Sequence, residues 1–250
     1  MIKGLILAGG MGTRLLPITK QINKHCVPLL NKPMILYPLE TLKSLKIKDI
    51  MIVSGGGHIG GIAEFLGDGS DYGVNLTYRV QKEAGGIGQA LGLAKDFVGK
   101  NHIAVILGDN IFDNEEIKKF KLVENENAVL FFSRQEDNSR FGVPSFNKKM
   151  EIVSIEEKPK KPKSAFAVTG LYIYPPNVFN IIPRIKPSKR GEIEITTVNN
   201  WYIYKRKCAW GILEKFWSDA GTRDSLKECI DWVYEKEKDP LTKEIQKNIL

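Results

Sequence analysis

Continuous apolar runs that stop at glycine constrain this chain more than any other feature. Lys3 to Ala8 runs into Gly9-Gly10, Asp49 to Ser54 into Gly55-Gly56-Gly57, and His102 to Leu107 into Gly108. These runs do not alternate polar with apolar residues, so they suit strands buried on both faces. Helical spacing appears between them. Pro33 to Lys46 places Ile35, Leu39, Leu42 and Leu45 on one face, and Ile87 to Val98 does the same with Leu91, Ala94 and Val98. Pro38 is poorly suited to a helix interior, which favours a later start for the first of these. His58 to Leu66 reads as a further helix, and Val74 to Gln81 alternates like a strand. Buried strands joined by helices predict an α/β fold, a Rossmann-like mixed, mostly parallel sheet flanked by helices. Ligands of such sheets gather beyond the carboxyl ends of the strands. Gly9–Arg14 and Gly108–Asn110 both follow such ends, so they are predicted to face one crevice.

The pattern changes after Phe132. Strands are predicted at Arg140 to Phe146, Glu151 to Glu156 and Ala167 to Tyr174, with helices at Val178 to Ile182 and Glu192 to Tyr204. Thr222 to Glu237 is the clearest helix, with Leu226, Ile230 and Val233 in one stripe. The tail from Asp239 is polar and predicted to fray. We expect a single domain over 1–250, with a first half at 1–132 and a β-rich second half at 133–238.

A hydrophobic fraction of 42% over 250 residues supports a sizeable core. No apolar run approaches a membrane span, and no basic segment with an apolar stretch and cleavage site opens the chain. Cys26, Cys208 and Cys229 are scattered, which is neither a disulfide framework nor a metal pattern, and a reducing cytoplasm is the expected compartment. The net charge of +8 collects in Lys118-Lys119, Lys158 to Lys163 and Lys205 to Lys207. These runs lack interleaved aromatics, so they read as solvated surface and not as a nucleic-acid platform.

The chemistry-bearing residues are individually ambiguous. Gly9, Gly10 and Gly12, followed by Arg14, make either a phosphate cradle or a plain turn between strand and helix. Asp109 stands where a carboxylate holds Mg²⁺ at a nucleotide crevice, but alone it is better explained as a turn cap. Asp219 precedes a helix, although Thr222 is better spaced to cap it. Lys24 and the Glu156-Glu157-Lys158 run each read, in isolation, as surface. His25, His58 and His102 are scattered and read as structural.

Taken together, the motifs resemble the sugar-1-phosphate nucleotidyltransferases. The resemblance rests on Leu7-Ala8-Gly9-Gly10-Met11-Gly12-Thr13-Arg14-Leu15 with Pro17, and on Lys24 and Pro28 at the matching spacing. It continues through Leu66 to Ser70, Gln81, Gly85 to Ala90, Leu107 to Phe112 and Arg140-Phe141-Gly142-Val143. Glu156 to Pro159, Ala167 to Tyr172, Lys186 to Glu192 and Trp217 to Thr222 complete it. Among such enzymes the likeness is to those acting on dTTP and glucose-1-phosphate.

The resemblance implies roles. Leu7, Gly9, Gly10, Gly12 and Thr13 would cradle dTTP, with Arg14 on the departing pyrophosphate and Lys24 near the reacting centre. Gln81 and Gly86 would read the pyrimidine, and Asp109 and Asp219 would hold Mg²⁺. Gly142, Glu157, Val168 and Tyr172 would line the sugar site, Lys158 would hold the sugar phosphate, and Arg190 and Glu192 match a motif close by. A homo-oligomer, tetramer or dimer, is also implied. Met11 stands where the family has Ser or Thr, and Thr197 replaces an acid. Pro144 removes a ladder donor from a predicted strand. The chain is shorter than long family members, so we expect no product feedback through a C-terminal regulatory site. The rival readings are uridylyl transfer and a non-catalytic nucleotide sensor. A dinucleotide-binding dehydrogenase is disfavoured, because no G-x-G-x-x-G order is present.

Overall fold

The computed structural model describes residues 1–120 and 125–238, so the tail predicted to fray lies outside the described residues. The chain opens with β1 (Ile2–Leu7), a small ribbon of β2 (Pro28–Leu29) and β3 (Lys32–Pro33), and helix α1 (Leu36–Ser44). It continues through β4 (Asp49–Gly55), α2 (Ile59–Leu66), β5 (Asn75–Gln81), α3 (Gly86–Gly92), α4 (Lys95–Val98) and β6 (His102–Leu107). Then come β7 (Asn110–Phe112), α5 (Asn114–Ile117), β8 (Ala128–Arg134), β9 (Gly142–Phe146), β10 (Ile152–Glu157) and β11 (Phe166–Tyr174). The last elements are α6 (Val178–Ile181), α7 (Ile195–Tyr204), β12 (Cys208–Leu213), β13 (Trp217–Asp219) and α8 (Arg223–Lys238). No described helix is long and apolar enough to cross a membrane.

The central sheet has seven strands in the order β12-β8-β11-β6-β1-β4-β5. β1 is parallel to both β4 and β6, β4 to β5, and β12 to β8. Only β11 runs antiparallel to its neighbours in this sheet, β6 and β8. This is the mixed, mostly parallel sheet expected. The reason β1 is apolar from Gly4 to Leu7, beyond the half-buried Lys3, is now explicit. Leu5 and Leu7 enter a core with Leu91 of α3 and Val198 of α7, whereas Ile6 enters a second core with Leu39 and Leu42 of α1. Successive side chains face opposite sides of a strand, so a strand covered on both sides has no wet position. Each fully buried Leu or Ile contributes about 1.5–3 kcal/mol. A third cluster joins Leu15, Val27 and Met34 to Leu226 and Val233 of α8.

Several boundaries moved for local reasons. Pro33 pairs in the β2–β3 ribbon and does not start a helix. Pro38 sits in the first turn of α1, where its missing N–H has no intrahelical acceptor to lose. The helix expected over Ile87 to Val98 is divided into α3 and α4, in a stretch holding Gly86, Gly88 and Gly92. The helix expected from Glu192 starts at Ile195, because Ile193 is bonded to α3: Gly88 N–H donates to Ile193 O, and Ile193 N–H to Gly85 O, both 2.8 Å. Pro144 is accommodated in β9, whose ladder partner is β10. The sequence reading missed the short strands β7 and β13 and the edge strand β12.

The chain runs from β1 to β4 and β5 on one side, then returns to place β6 on the other. The crevice above the ends of β1 and β6 is therefore a topological switch point.

Packing on α1 sets a first prediction. A Cβ at Gly4 would lie 2.9 Å from both Ile50 Cγ1 and Leu42 Cδ1, but one at Gly60 in α2 meets nothing within 4 Å. Gly4→Ala should cost about 1–3 kcal/mol, and Gly60→Ala should stabilise by about 0.5–1 kcal/mol, both read from urea unfolding midpoints.

Candidate active site

The loop after β1 and the loop after β6 are stitched together at their roots, since Gly108 N–H donates to Leu7 O at 2.9 Å. Gly12 has φ +63, and a Cβ there would press on Thr19 Cγ2 at 2.9 Å and Lys24 Cβ at 3.2 Å. Glycine thus lets the loop fold down over Lys24. Lys24 is only 8% exposed, and its ammonium pairs with Asp109 Oδ2. His25 lies under Gly108, where a Cβ would stand 2.8 Å from the ring.

Asn110 fixes the other oxygen of Asp109. Its Nδ2 donates to Asp109 Oδ1 at 2.9 Å. Its Oδ1 accepts from Gly170 N–H at 2.9 Å and from Trp217 Nε1 at 2.8 Å. Gly170 lies where the register of β11 against β8 shifts between Val168 and Tyr172. Asp219 stands opposite Asn110 in the β13–β7 pair, and Ala220 N–H donates to Asp109 O at 2.7 Å. The capping task at α8 falls to Thr222, whose Oγ1 accepts from Ser225 N–H at 3.2 Å. Asp219 Oδ1 accepts instead from Arg140 Nη2 at 3.0 Å. Two neighbouring carboxylates thus each carry a cation: Lys24 on Asp109 and Arg140 on Asp219.

These pairs lie where two cavities meet. One, of about 410 Å³, is lined by Leu7, Gly9, Gly10, Gln81 and Gly86 among others. The second, of about 270 Å³, is lined by Arg140, Gly142, Val168, Tyr172, Thr196 and Asp219 among others. Arg14, Asp109, Glu157 and Lys158 line both. Such an arrangement can bring two anions to one point between fixed cations.

Burial opposes ionisation of Asp109, but Lys24, His25 and Asn110 outweigh it and hold the carboxyl down at about 2. Asp219 is raised, first by burial and then by the charge of Asp109, against the pull of Arg140, Lys24 and Arg14. His25 is lowered to about 4, chiefly by burial, with Asp109 opposing and Lys24 assisting. Its ring is therefore neutral at physiological pH. Tyr172 is raised by burial and by Glu157 and Asp109, so it stays a phenol.

Most of the residues singled out from sequence line this double cavity, with exceptions. Gly12, Thr13 and Lys24 do not line it; Gly12 packs on Lys24, Lys24 meets the cavities only through its ion pair with Asp109, and Thr13 begins a short 3₁₀ turn ending at Leu15. Arg190, expected with the sugar phosphate, lines the first cavity, and its guanidinium forks onto Glu194 at 2.8 and 3.0 Å. Met11 is 74% exposed and lines neither cavity. Sequence reasoning gave no role to Asn110, Arg140, Thr196 or Trp217. Asn110, Arg140 and Trp217 lay inside recognised motifs, but only the fold reveals that they brace the two aspartates. Thr196 Oγ1 donates to Glu157 Oε2 at 2.5 Å.

The lowered His25 implies a pH effect on stability. Between the ordinary histidine value of 6.5 and about 4, the unfolded chain binds a proton that the folded chain refuses. Stability should therefore fall as pH drops through that window. His25→Gln should flatten the melting temperature against pH there, as read by thermal melts at several pH values.

The sequence pattern of the Nucleotidyl transferase family matches residues 3–235. The glucose-1-phosphate thymidylyltransferase of Neisseria meningitidis is 40% identical over 237 residues, covering 93% of this chain and 82% of that protein. That of Mycobacterium tuberculosis is 40% identical over 238 residues with the same coverage. Among solved structures, a Bacillus anthracis protein assigned as a glucose-1-phosphate thymidylyltransferase, crystallised with sucrose, matches with a TM-score of 0.85. It shares 47% identity and covers 93% of this chain and 95% of its own. A UDP-glucose pyrophosphorylase bound to UDP-glucose matches at a TM-score of 0.81 with 26% identity, covering 94% of this chain and all of its own. A double cavity at the switch point of the sheet, together with a match across nearly the whole length, leads to one conclusion: this chain belongs to the nucleotidyl transferase family.

Proposed function

We propose that the chain transfers a thymidylyl group from dTTP to glucose-1-phosphate, giving dTDP-glucose and pyrophosphate. The observation that carries this reading is the paired aspartates with their cations at the junction of two cavities, in a chain whose relatives bear that activity. dTTP would occupy the larger cavity, against Gly9 and Gly10 and beneath Gln81 and Gly86. The sugar phosphate would occupy the smaller one, against Gly142, Glu157, Val168 and Tyr172. On this reading the first half of the chain supplies the nucleotide side and the second half the sugar side.

A phosphate oxygen of the sugar phosphate attacks the α-phosphorus in line. The bond to the bridging oxygen breaks, and its electron pair leaves with pyrophosphate. The nucleophile is already an anion, so no general base is needed. Positioning and charge neutralisation carry the rate. Arg14 is exposed at the shared wall, and its guanidinium has no hydrogen-bond or ion-pair partner among the described residues, which suits it to take pyrophosphate oxygens. Lys158 has only a loose contact with Glu157, 3.6 Å, which leaves its ammonium available to the sugar phosphate. Lys24 lines neither cavity and would act through Asp109, fixing that carboxylate and lending its charge to the reacting centre from behind.

Nucleotidyl transferases generally use a divalent cation. The residues present suit one. Asp219 Oδ2 is left open by Gly221, where a Cβ would stand 2.6 Å away. Each Asp109 oxygen already accepts from Lys24 or Asn110 but keeps a second lone pair, so Asp109 and Asp219 together would match the preference of Mg²⁺ for carboxylates shared with substrate phosphates. When bound, Mg²⁺ withdraws charge from the phosphate oxygens.

UTP in place of dTTP is the second reading, favoured by the similarity to a UDP-glucose pyrophosphorylase. One methyl group separates the bases, worth about 10–200-fold in a pocket. The test is pyrophosphate release from a panel of nucleoside triphosphates and hexose-1-phosphates, with and without Mg²⁺. Turnover of dTTP with glucose-1-phosphate is expected to be fastest. A UTP preference would replace the thymidylyl assignment, and no turnover of any pair would refute the enzyme.

The aspartates should separate in stability. Asp219, whose folded form resists ionisation, should gain or hold melting temperature in Asp219→Asn. Asp109→Asn strands the Lys24 charge and should cost about 3–5 kcal/mol. Both should lower kcat by about 10²-fold or more, read by steady-state kinetics beside thermal melts.

A further inference from the structure

Gln81 ends β5 at the rim of the larger cavity, but its amide is not a free rotor. Its Nε2 donates to Gln89 Oε1 at 2.6 Å and reaches Gly86 O at 3.4 Å. A backbone carbonyl can only accept. The Gln81 atom facing Gly86 O is therefore the NH₂ group, and the Gln89 atom that meets it is the carbonyl oxygen. This leaves Gln81 Oε1 turned toward Gly9, where a Cβ would stand 3.4 Å from it.

Gln89 is itself built into place. A Cβ at Gly85 would lie 2.5 Å from Gln89 Cδ and 2.7 Å from its Nε2, so only glycine lets that side chain fold back. Gly86 has φ +89, and a Cβ there would press on Glu192 Cβ and Ile193 O, each at 2.9 Å. The start of α3 is thus clamped on the 192–193 segment, and Gln89 rides on that clamped helix.

We infer that Gln89 is a specificity-determining positioning residue, which locks the Gln81 amide with its acceptor toward the base and so selects a pyrimidine with an imide N–H over cytosine. This inference rests on the nucleotide site proposed above. Thymine and uracil carry a donor at N3, flanked by two carbonyls. Cytosine carries an acceptor at N3 beside an amino group, so a locked Gln81 Oε1 meets a lone pair with a lone pair. A Gln81 free to turn by 180° would serve either base. Discrimination by a fixed hydrogen-bonding group is strong because the wrong partner leaves it unpaired. The lock therefore sets which half of the pyrimidines enters, a choice separate from thymine against uracil.

The test is calorimetric binding of dTTP and dCTP to the whole protein without sugar phosphate, with kcat/KM for both nucleotides alongside. Wild type is expected to prefer dTTP by about 10²-fold or more. Gln89→Leu, and Gln89→Met as the closer match in length, should reduce the dTTP to dCTP affinity ratio at least about tenfold. They should do so mainly through tighter dCTP binding, with the kcat for saturating dTTP little changed. Gln89→Glu, which still accepts from Gln81 Nε2, should restore the ratio. An unchanged ratio in the folded Leu and Met variants, or equal affinity of wild type for both nucleotides, would overturn the inference. A wild type that binds dTTP selectively and loses that selectivity in the Leu and Met variants, yet turns over no nucleotide pair, would sustain the lock and refute the transferase reading.

Discussion

The ion pair between Lys24 and Asp109 is the constraint on which the site depends. It joins a loop that follows β1 to one that follows β6, across the pair of parallel strands at the switch point of the sheet. Burying two charges is costly, and their attraction repays the cost only with good geometry and further hydrogen bonds. Asn110 supplies that geometry, because its Nδ2 is held on Asp109 while its Oδ1 is held by Gly170 N–H and Trp217 Nε1. The register shift in β11 presents the Gly170 N–H to Asn110. A sheet irregularity, a buried amide and an indole thus converge on the orientation of one carboxylate.

Asp219 completes the pair with the opposite balance. Its carboxylate is disfavoured by burial and by Asp109, and Arg140 offsets only part of this. Arg140 lies against the Phe141 ring at 4.8 Å, and Phe141 packs on Trp217 at 5.2 Å. Arg140 Nη1 is buried without a hydrogen-bond partner among the described residues. One aspartate is charged and satisfied; the other is held in tension beside it. That asymmetry separates two carboxylates that stand side by side in the crevice.

The fold was readable from sequence where burial on two faces leaves no alternative, as in Ile2–Leu7 and His102–Leu107. It was unreadable where tertiary bonds overrode local spacing. Ile193 stops α7 from beginning early because its backbone is spent on α3. Trp217–Asp219 shows too little pattern to declare a strand, and it becomes one only opposite Asn110. The same holds in the site. Lys24 reads as a surface lysine until the glycine loop folds over it, and Asp109 reads as a turn cap until Lys24 arrives. Their meaning is relational, set by partners 85 residues apart in sequence. Motif resemblance brought the two residues onto one list, but it did not reveal that they touch.

β11 has a consequence for how such enzymes diversify. It lies late in the chain, yet it is hydrogen-bonded to β6 on one side and β8 on the other. A junction at 132/133 would cut through β8 itself. The two halves of the chain are therefore not separable cassettes. A crossover there would pair strands from different parents inside one sheet, with both cores mismatched at once. Substitutions in the lining of the crevice, by contrast, leave the ladder of the sheet unbroken.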